Sequence, residues 1–508
     1  MEESGLFELI KTLGKSEKRY FKKYAAMHGA RNNTHAAQLF DALEEVPEYN
    51  DTGFKKSNHK KPFYKNLASE KQHLMKVLLQ SLNEFHRNND TKSTIRFHLD
   101  SFELLFQKRQ YKLCEKHLLK ASRLCKENGY ADFFPGMYRS FGKLYQHSGN
   151  LEKLKVILDE MEKDENKISS SLKNEIKLTH TEYNFYYTSR LLGYPRTKKD
   201  RSAYEDIYKP AIDLNEDAVS FKEKLNLLLI KNYYYDTYPD KKPLMKVREE
   251  WVKLAETKQK YIEDNSMQYL VCLNNLANSY DELGMKKELE LTLEKIINYP
   301  KKNLDEEVRT FIYYYNLKMV GRILEGNFDE CVALFPQVEA GKKKLWRWFH
   351  PEYKLSFRYL FSYGYFGARQ YQQSLKWINE ILINYPKETL EEYYNFARIF
   401  ILLIYFELGY EGLLASELRS ANRYFNKKDK LFSLEKIILA FMKSSLKPEG
   451  ILSTKKEFRE LKEKITELKN SPYEQQLFSL FDWEAWAESK ISGVPFDKIM
   501  REKSEGVH

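Results

Sequence analysis

The residues of this 508-residue chain that could do bond-making chemistry are few, and their spacing argues against it. Gly14-Lys15-Ser16 resembles the end of a phosphate-binding loop, where backbone N–H groups and a lysine cradle phosphates. That loop also needs a glycine at position 9, where this chain has Leu9, and a strand ahead of it. Ser16 is therefore expected as a helix N-cap. No H-E-x-x-H, G-x-S-x-G or G-x-G-x-x-G sequence occurs. The motifs that would activate a water, a serine or a dinucleotide are thus missing, which leaves an enzyme only the route of residues far apart in sequence. The eleven histidines are scattered: His28, His35, His59, His73 and His86 are N-terminal, and His350 precedes Pro351. Metal ligation needs a convergence that this spacing does not provide. The four cysteines, Cys114, Cys125, Cys272 and Cys331, form no C-x-x-C pair. Cys114 and Cys125 fall on the apolar stripe of one helix and are expected as buried free thiols, in keeping with a reducing compartment. The expectation is a protein that is not an enzyme and uses no cofactor or metal.

Two basic stretches remain. Lys342-Lys343-Lys344-Leu345-Trp346-Arg347-Trp348-Phe349-His350 interleaves cations with rings, a pattern able to hold phosphates and stack bases. The same pattern suits a loop between repeats followed by aromatic packing residues. The helix expected at Lys15–Lys23 is basic as well, but nearby acids almost balance it and no recognition-helix signature stands out. The net charge of +11 and pI of about 8.9 are mild for this length and admit acidic partners. Most cations alternate with Glu and Asp and read as a solvated helix face.

Hydrophobic residues at 42% and charged residues at 31% describe a soluble, folded chain. Its longest apolar run, Ile399 to Phe406, falls well short of the roughly 20 residues that a membrane span needs. The acidic start, Met1-Glu2-Glu3-Ser4-Gly5, is not a signal peptide, so a cytoplasmic protein is expected. Lys-, Asn-, Tyr- and Ile-rich usage suggests an AT-rich, bacterial genome. Gly (20) and Pro (14) are scarce, as a mostly helical chain requires.

Residues 1–90 read as a small helical module. Leu6, Phe7, Leu9, Ile10 and Leu13 mark a first helix, and Tyr20, Phe21 and Tyr24 a second. A third lies near Ala36–Leu43, then a polar loop at Asn50–Pro62 and a longer helix at Phe63–Phe85. Asn88-Asn89-Asp90 marks the boundary. From 93 to 470 the chain repeats. Ile297-Asn298-Tyr299-Pro300 and Ile383-Asn384-Tyr385-Pro386 close two helical runs separated by twice a period of about 43. Each unit has a first helix, a turn and a second helix: Phe141-Gly142, Tyr145, Gly149, then Leu151, Leu154, Leu158 and Met161; or Leu276-Ala277, Tyr280, Gly284, then Leu289, Leu293, Ile296 and Pro300. Related sets follow at Gly326–Val338, Tyr365–Pro386 and Tyr405–Ala421, with an earlier one at Leu105–Ala121. Glycine at the turn accepts positive φ, and proline stops the second helix. The stretch 165–265 is weakly patterned, with helical runs near 172–192 and 219–235 and loops around Pro195–Asp200 and Pro239–Pro243. Residues 471–508 read as a capping helix, Pro472–Ile491, carrying Leu477, Leu480, Phe481, Trp483 and Trp486, with frayed residues beyond Gly493.

At these positions the chain resembles the tetratricopeptide-repeat (TPR) family. The units are longer than that family's 34 residues, and the small positions often hold Leu, Cys or Ser. The resemblance is therefore to the wider TPR-like class and covers about nine helix pairs. It implies an all-α fold, a right-handed superhelical α-solenoid of helix-turn-helix repeats with an N-terminal helical module. It also implies that the first helix of each pair lines a groove. Leu273-Asn274-Asn275-Leu276-Ala277 resembles the first helix of peptide-binding TPRs, where an asparagine at the Asn275 position bonds a peptide backbone. By the same alignment Asn274, Asn278, Asn316, Tyr313, Tyr359, Tyr363, Arg139 and Lys143 would line the groove.

The expected function is a scaffold that binds a protein or peptide, with or without an acidic segment, and engages neither nucleic acid nor a membrane. A second reading is a regulator whose N-terminal module contacts nucleic acid while the repeats sense a peptide.

Overall fold

The computed structural model describes residues 3–27, 31–87, 90–195, 197–212, 220–238, 240–384, 391–428, 433–447, 450–451, 454–469 and 477–506. His28, Asn88-Asn89, Tyr385-Pro386, Pro239 and the start of the expected capping helix at Pro472 lie outside them. The fold is all-helical. Its helices are α1 (Glu3–Thr12), α2 (Lys15–Met27), α3 (Arg31–Glu45), α4 (Asp51–Asn58), α5 (Leu67–Phe85), α6 (Thr91–Gln107), α7 (Tyr111–Asn128), α8 (Phe134–Ser148) and α9 (Leu151–Leu192). They continue with α10 (Lys198–Ile212), α11 (Phe221–Asp236), α12 (Lys242–Glu256), α13 (Gln259–Asp264), α14 (Ser266–Glu282), α15 (Lys286–Ile297), α16 (Leu304–Leu324), α17 (Phe328–Leu345), α18 (Pro351–Gly367) and α19 (Tyr371–Asn384). The last are α20 (Glu391–Leu408), α21 (Glu411–Lys428), α22 (Ser433–Ser445), α23 (Lys455–Lys469), α24 (Leu477–Leu480), α25 (Trp483–Ser492) and α26 (Phe496–Ser504). Among the described residues the one strand pairing is Leu446–Lys447 with Gly450–Ile451. No described helix is long and apolar enough to cross a membrane.

The chain divides into two compact units, Met1–Leu172 with Lys302–Leu304, and Lys173–Lys301 with Asp305–His508. The first contains two apolar cores. Leu6, Ile10, Phe21, Leu39, Phe40, Leu74 and Leu78 gather α1, α2, α3 and α5 around one of them. Ile95, Phe102, Cys114, Leu118, Met137 and Phe141 gather α6, α7 and α8 around the other. Two local expectations fail here. Ser16 does not cap α2; the helix begins at Lys15, and Glu17 accepts the Gly14 N–H at 2.6 Å. The stretch Asn50–Pro62 is not all loop. Asn50 caps α4 by accepting from the Gly53 N–H at 3.2 Å, and Phe54 anchors that helix in the core.

Helix pairing follows from the turns. Gly149, Gly284, Gly326 and Gly409 each sit between two consecutive helices with φ close to +70°. Only glycine reaches this region without a Cβ penalty, and there it ends one helix and reverses the chain. Arg109 (φ 54°) and Arg369 (φ 58°) do the same work in two pairs that lack the glycine. α15 stops at Ile297, ahead of Tyr299-Pro300, as the repeated phrase predicts. The long helix α9 departs from expectation. No Gly or Pro interrupts Leu151–Leu192, so two expected helical runs become one of 42 residues, ended by Gly193 at φ 65°. All four cysteines are free and buried.

Close packing of first on second helices needs small residues at fixed places. A methyl group built at Gly367 would overlap the Phe328 ring. Gly367→Ala is therefore expected to destabilise the second unit by about 1–3 kcal/mol, measured by chemical denaturation. In the first unit, His98 on α6 and His117 on α7 bring their Nδ1 atoms to 3.1 Å, so one must donate and the other accept. Burial, then neighbouring cations including Lys120, hold both below the ordinary histidine range. A depressed histidine pKa means that the unfolded chain takes up protons first. Stability from this pair is complete above the ordinary histidine value of about 6.5 and declines as pH falls through it. In a His117→Phe variant, the thermal midpoint relative to wild type should shift in the variant's favour between pH 7.5 and pH 5.

Candidate functional site

The candidate residues stand on first helices, whose apolar stripes fix which side remains for a ligand. In α14, Leu270, Leu273, Leu276, Ala277 and Tyr280 are buried, and this turns Asn274, Asn275 and Asn278 to the half-buried side. Asn278 Nδ2 donates to the Asn274 carbonyl at 2.9 Å and so serves its own helix. The side-chain amides of Asn274 and Asn275 have no partner among the described residues. Each offers both a donor and an acceptor, the requirement for reading an extended peptide backbone.

On α16, Tyr313 is buried; its hydroxyl accepts from Arg309 Nη1 at 3.1 Å and its ring lies 6.0 Å from that of Tyr353. Asn316 Nδ2 donates to Ser356 Oγ at 2.7 Å. Both contacts lead to α18, which carries Tyr359 and Tyr363 further along, their ring centroids 6.0 Å apart. Tyr313 and Asn316 thus face the start of α18, and Tyr359 and Tyr363 form a separate pair further along it. Arg139 and Lys143 are on α8, in the other compact unit. Arg139 is exposed, while Lys143 pairs with Glu103 at 3.2 Å and lies 4.4 Å from the Phe106 ring centroid.

Tyr359 and Tyr363 are not open to solvent. The Tyr359 hydroxyl donates to the Leu480 carbonyl, and the Asp482 N–H donates to the Tyr363 hydroxyl at 3.3 Å. Burial pushes both phenols well above their ordinary range, so they remain neutral hydrogen-bonding groups. Between these two main-chain contacts, Phe481 is 1% exposed. Its ring lies 5.1 Å from Tyr363, 5.5 Å from Phe366 and 5.3 Å from Phe400. Around it, Trp486 Nε1 and Lys490 Nζ each donate to Glu407, at 2.7 Å. Arg369 pairs with Asp497 at 3.2 Å, and Arg501 Nε donates to the Gly326 carbonyl at 3.2 Å. Residues beyond Gly493, expected to fray, instead form α26 with Phe496, Ile499 and Met500 buried. Sequence reasoning found the aromatic residues of this segment but not its seat. The period-breaking cluster Phe481, Trp483 and Trp486 was the available signal.

Charged groups complete the surroundings. Arg190 at the end of α9 forms a two-pronged pair with Glu352 of α18, at 3.2 and 2.8 Å. The buried Arg248 ties α12 to Asn232, Asp236 and Ser279 at 2.8, 3.2 and 2.9 Å. Asp281, near Glu282 and Glu325, is pushed up to about 7 mainly by burial. The basic–aromatic stretch is largely engaged in packing, and its lysines belong to α17, not to a loop. Lys342 Nζ bonds Glu339 at 2.6 Å and stands 4.3 and 4.8 Å from the Trp346 and Trp377 ring centroids; Lys344 pairs with Glu307. Among the described residues no group of three or more His, Cys, Asp or Glu is placed to hold a metal ion. No protein-family model, curated protein or solved structure matches the chain.

Removing the Phe481 ring leaves a cavity among five aromatic side chains, Tyr363, Phe366, Phe400, Trp483 and Phe496. Phe481→Ala is expected to destabilise the second unit by about 3–5 kcal/mol in denaturant titration. Because the ring shields Tyr363, the same variant should also make that phenol accessible to ultraviolet difference titration.

Proposed function

We propose that this chain is a non-enzymatic binding protein: a TPR-like, right-handed superhelical array of helix pairs that holds protein or peptide segments along its first helices. The carrying observation is the seat of Leu480-Phe481-Asp482. Two tyrosine hydroxyls on a first helix hold the main chain where α24 ends, at Leu480 and Asp482, and an aromatic pocket takes the Phe481 side chain between them. This is the chemistry of peptide recognition, performed on the chain's own residues: main-chain bonds give affinity and a pocket gives specificity. The half-buried, unpartnered amides of Asn274 and Asn275 offer the same chemistry to another peptide. Four buried free thiols suit a reducing, cytoplasmic setting.

The test is a peptide array probed with the full chain and with an Asn274→Ala/Asn275→Ala variant. Peptides selected by wild type should lose about tenfold in affinity for the variant, equivalent to about 1.4 kcal/mol, with an unchanged thermal midpoint. If no peptide is selected, or if selected peptides bind both proteins equally, the reading fails.

A further inference from the structure

We propose that the face formed by α4 and the turn after it binds the phosphodiester backbone of nucleic acid without reading base sequence. This does not rest on the peptide-binding reading. The sequence concentrates its positive charge in the first quarter of the chain. Residues 1–128 hold twenty-four Lys and Arg against sixteen Asp and Glu, so most of the chain's +11 resides there. Between Asp51 and Glu70 there are five lysines, His59 and no acid.

The structure decides which of these cations are available. The basic helix α2, conspicuous in the sequence, is partly spent: Lys18 pairs with Glu44 at 3.1 Å and Lys22 with Asp41 at 2.8 Å. Around α4 the balance is reversed. Its one acid, Asp51, bonds Lys55, Tyr49 and Lys71, and these contacts, Lys55 first, hold it down at about 2. Lys56, Lys60, Lys61 and Lys65 are exposed and make no ion pair among the described residues. Buried Phe54, Asn58 and Phe63 alternate with them and fix the backbone from which they project. Asn58 Nδ2 donates to the Phe54 carbonyl at 3.0 Å, and His59 Nδ1 donates to the Lys56 carbonyl at 2.8 Å, which stiffens the turn. Beside these lysines is a shallow hollow of about 510 Å³ lined by Asp51, Thr52, Lys55, Lys56, His59 and Tyr64.

The chemistry selects the ligand. Lysine is a mobile point charge suited to phosphate; the rigid bidentate fork of arginine that reads guanine is absent. The large apolar residues that are exposed elsewhere, such as Leu79 and Leu104, have no counterpart between Asp51 and Asn66. Protein partners depend on buried aromatic and apolar anchors, and stable attachment to an anionic membrane on apolar insertion added to charge, so both fit this face less well than a uniform polyanion.

The test uses the full chain and a fluorescent 20-base-pair duplex of arbitrary sequence, followed by anisotropy from 50 to 200 mM salt. Four lysine–phosphate contacts predict a log–log salt slope of about −3.6 and roughly 100-fold weaker binding at the higher salt. A scrambled duplex should bind equally. Lys56→Ala/Lys60→Ala/Lys61→Ala/Lys65→Ala should abolish the salt-dependent binding and leave the circular dichroism unchanged. Lys112→Ala/Lys116→Ala/Lys120→Ala, on the exposed side of α7, should retain it. The proposal is overturned by any of four results: no duplex binding at 50 mM salt, binding that survives the quadruple variant, binding lost in the α7 variant instead, or equal competition by poly-glutamate or phosphatidylserine vesicles.

Discussion

An amphipathic helix pair in water still exposes one apolar side after its two members have packed on each other. Helices of fifteen to twenty residues gain most of their stability from covering that side, not from intrinsic propensity. Each pair therefore needs a neighbour, and the neighbour must approach in the same way. The left-handed residue between two helices secures this, because it sets the angle at which the second returns over the first. Where that residue is glycine the chain takes the turn without strain; at Arg109 and Arg369 the surrounding packing imposes it. The close contact of Phe311 against Gly341 follows from that returning geometry, and Phe328 against Gly367 joins one pair to the next.

The same need explains the segment from Leu477 to Ser504. The first helices α18 and α20 carry Tyr359, Tyr363, Phe366, Phe396 and Phe400 along one side. Phe481, Trp483 and Phe496 cover these rings, and Glu407 receives both Trp486 and Lys490. This row of rings is thus covered from within the chain. Under the proposed peptide-binding function, selectivity rests with α14 and its amides, where no described segment hydrogen-bonds the side chain of Asn274 or Asn275.

What could be read in the sequence follows from the range of each interaction. Turn glycines, the apolar stripes of α14 and α15, and the stop at Tyr299-Pro300 depend on residues within one helix pair, and their spacing reveals them. Buried Cys114 and Cys125 belong to the same class. Arg109 and Arg369 were hidden because their φ values are imposed by packing and not by residue type. α4 was hidden by its polar composition, since Phe54 and the Asn50 cap supply its anchoring in place of an apolar stripe. Among the candidate site residues, Asn274, Asn275 and Asn278 fell on one helix side as the spacing required. The cover over Tyr359 and Tyr363 comes from 121 and 119 positions away, and no local pattern carries that information.

That separation has a consequence during synthesis. At 5–20 residues per second, Leu480 leaves the ribosome roughly 10 s after Tyr359. For that interval the nascent chain displays a row of uncovered tyrosine and phenylalanine rings on α18 and, once made, α20. Such surface invites misassociation with other nascent chains. The order in which the parts are made therefore gives this protein a vulnerable period that its finished structure conceals, during which α18 and α20 stand to gain from a chaperone's temporary shelter.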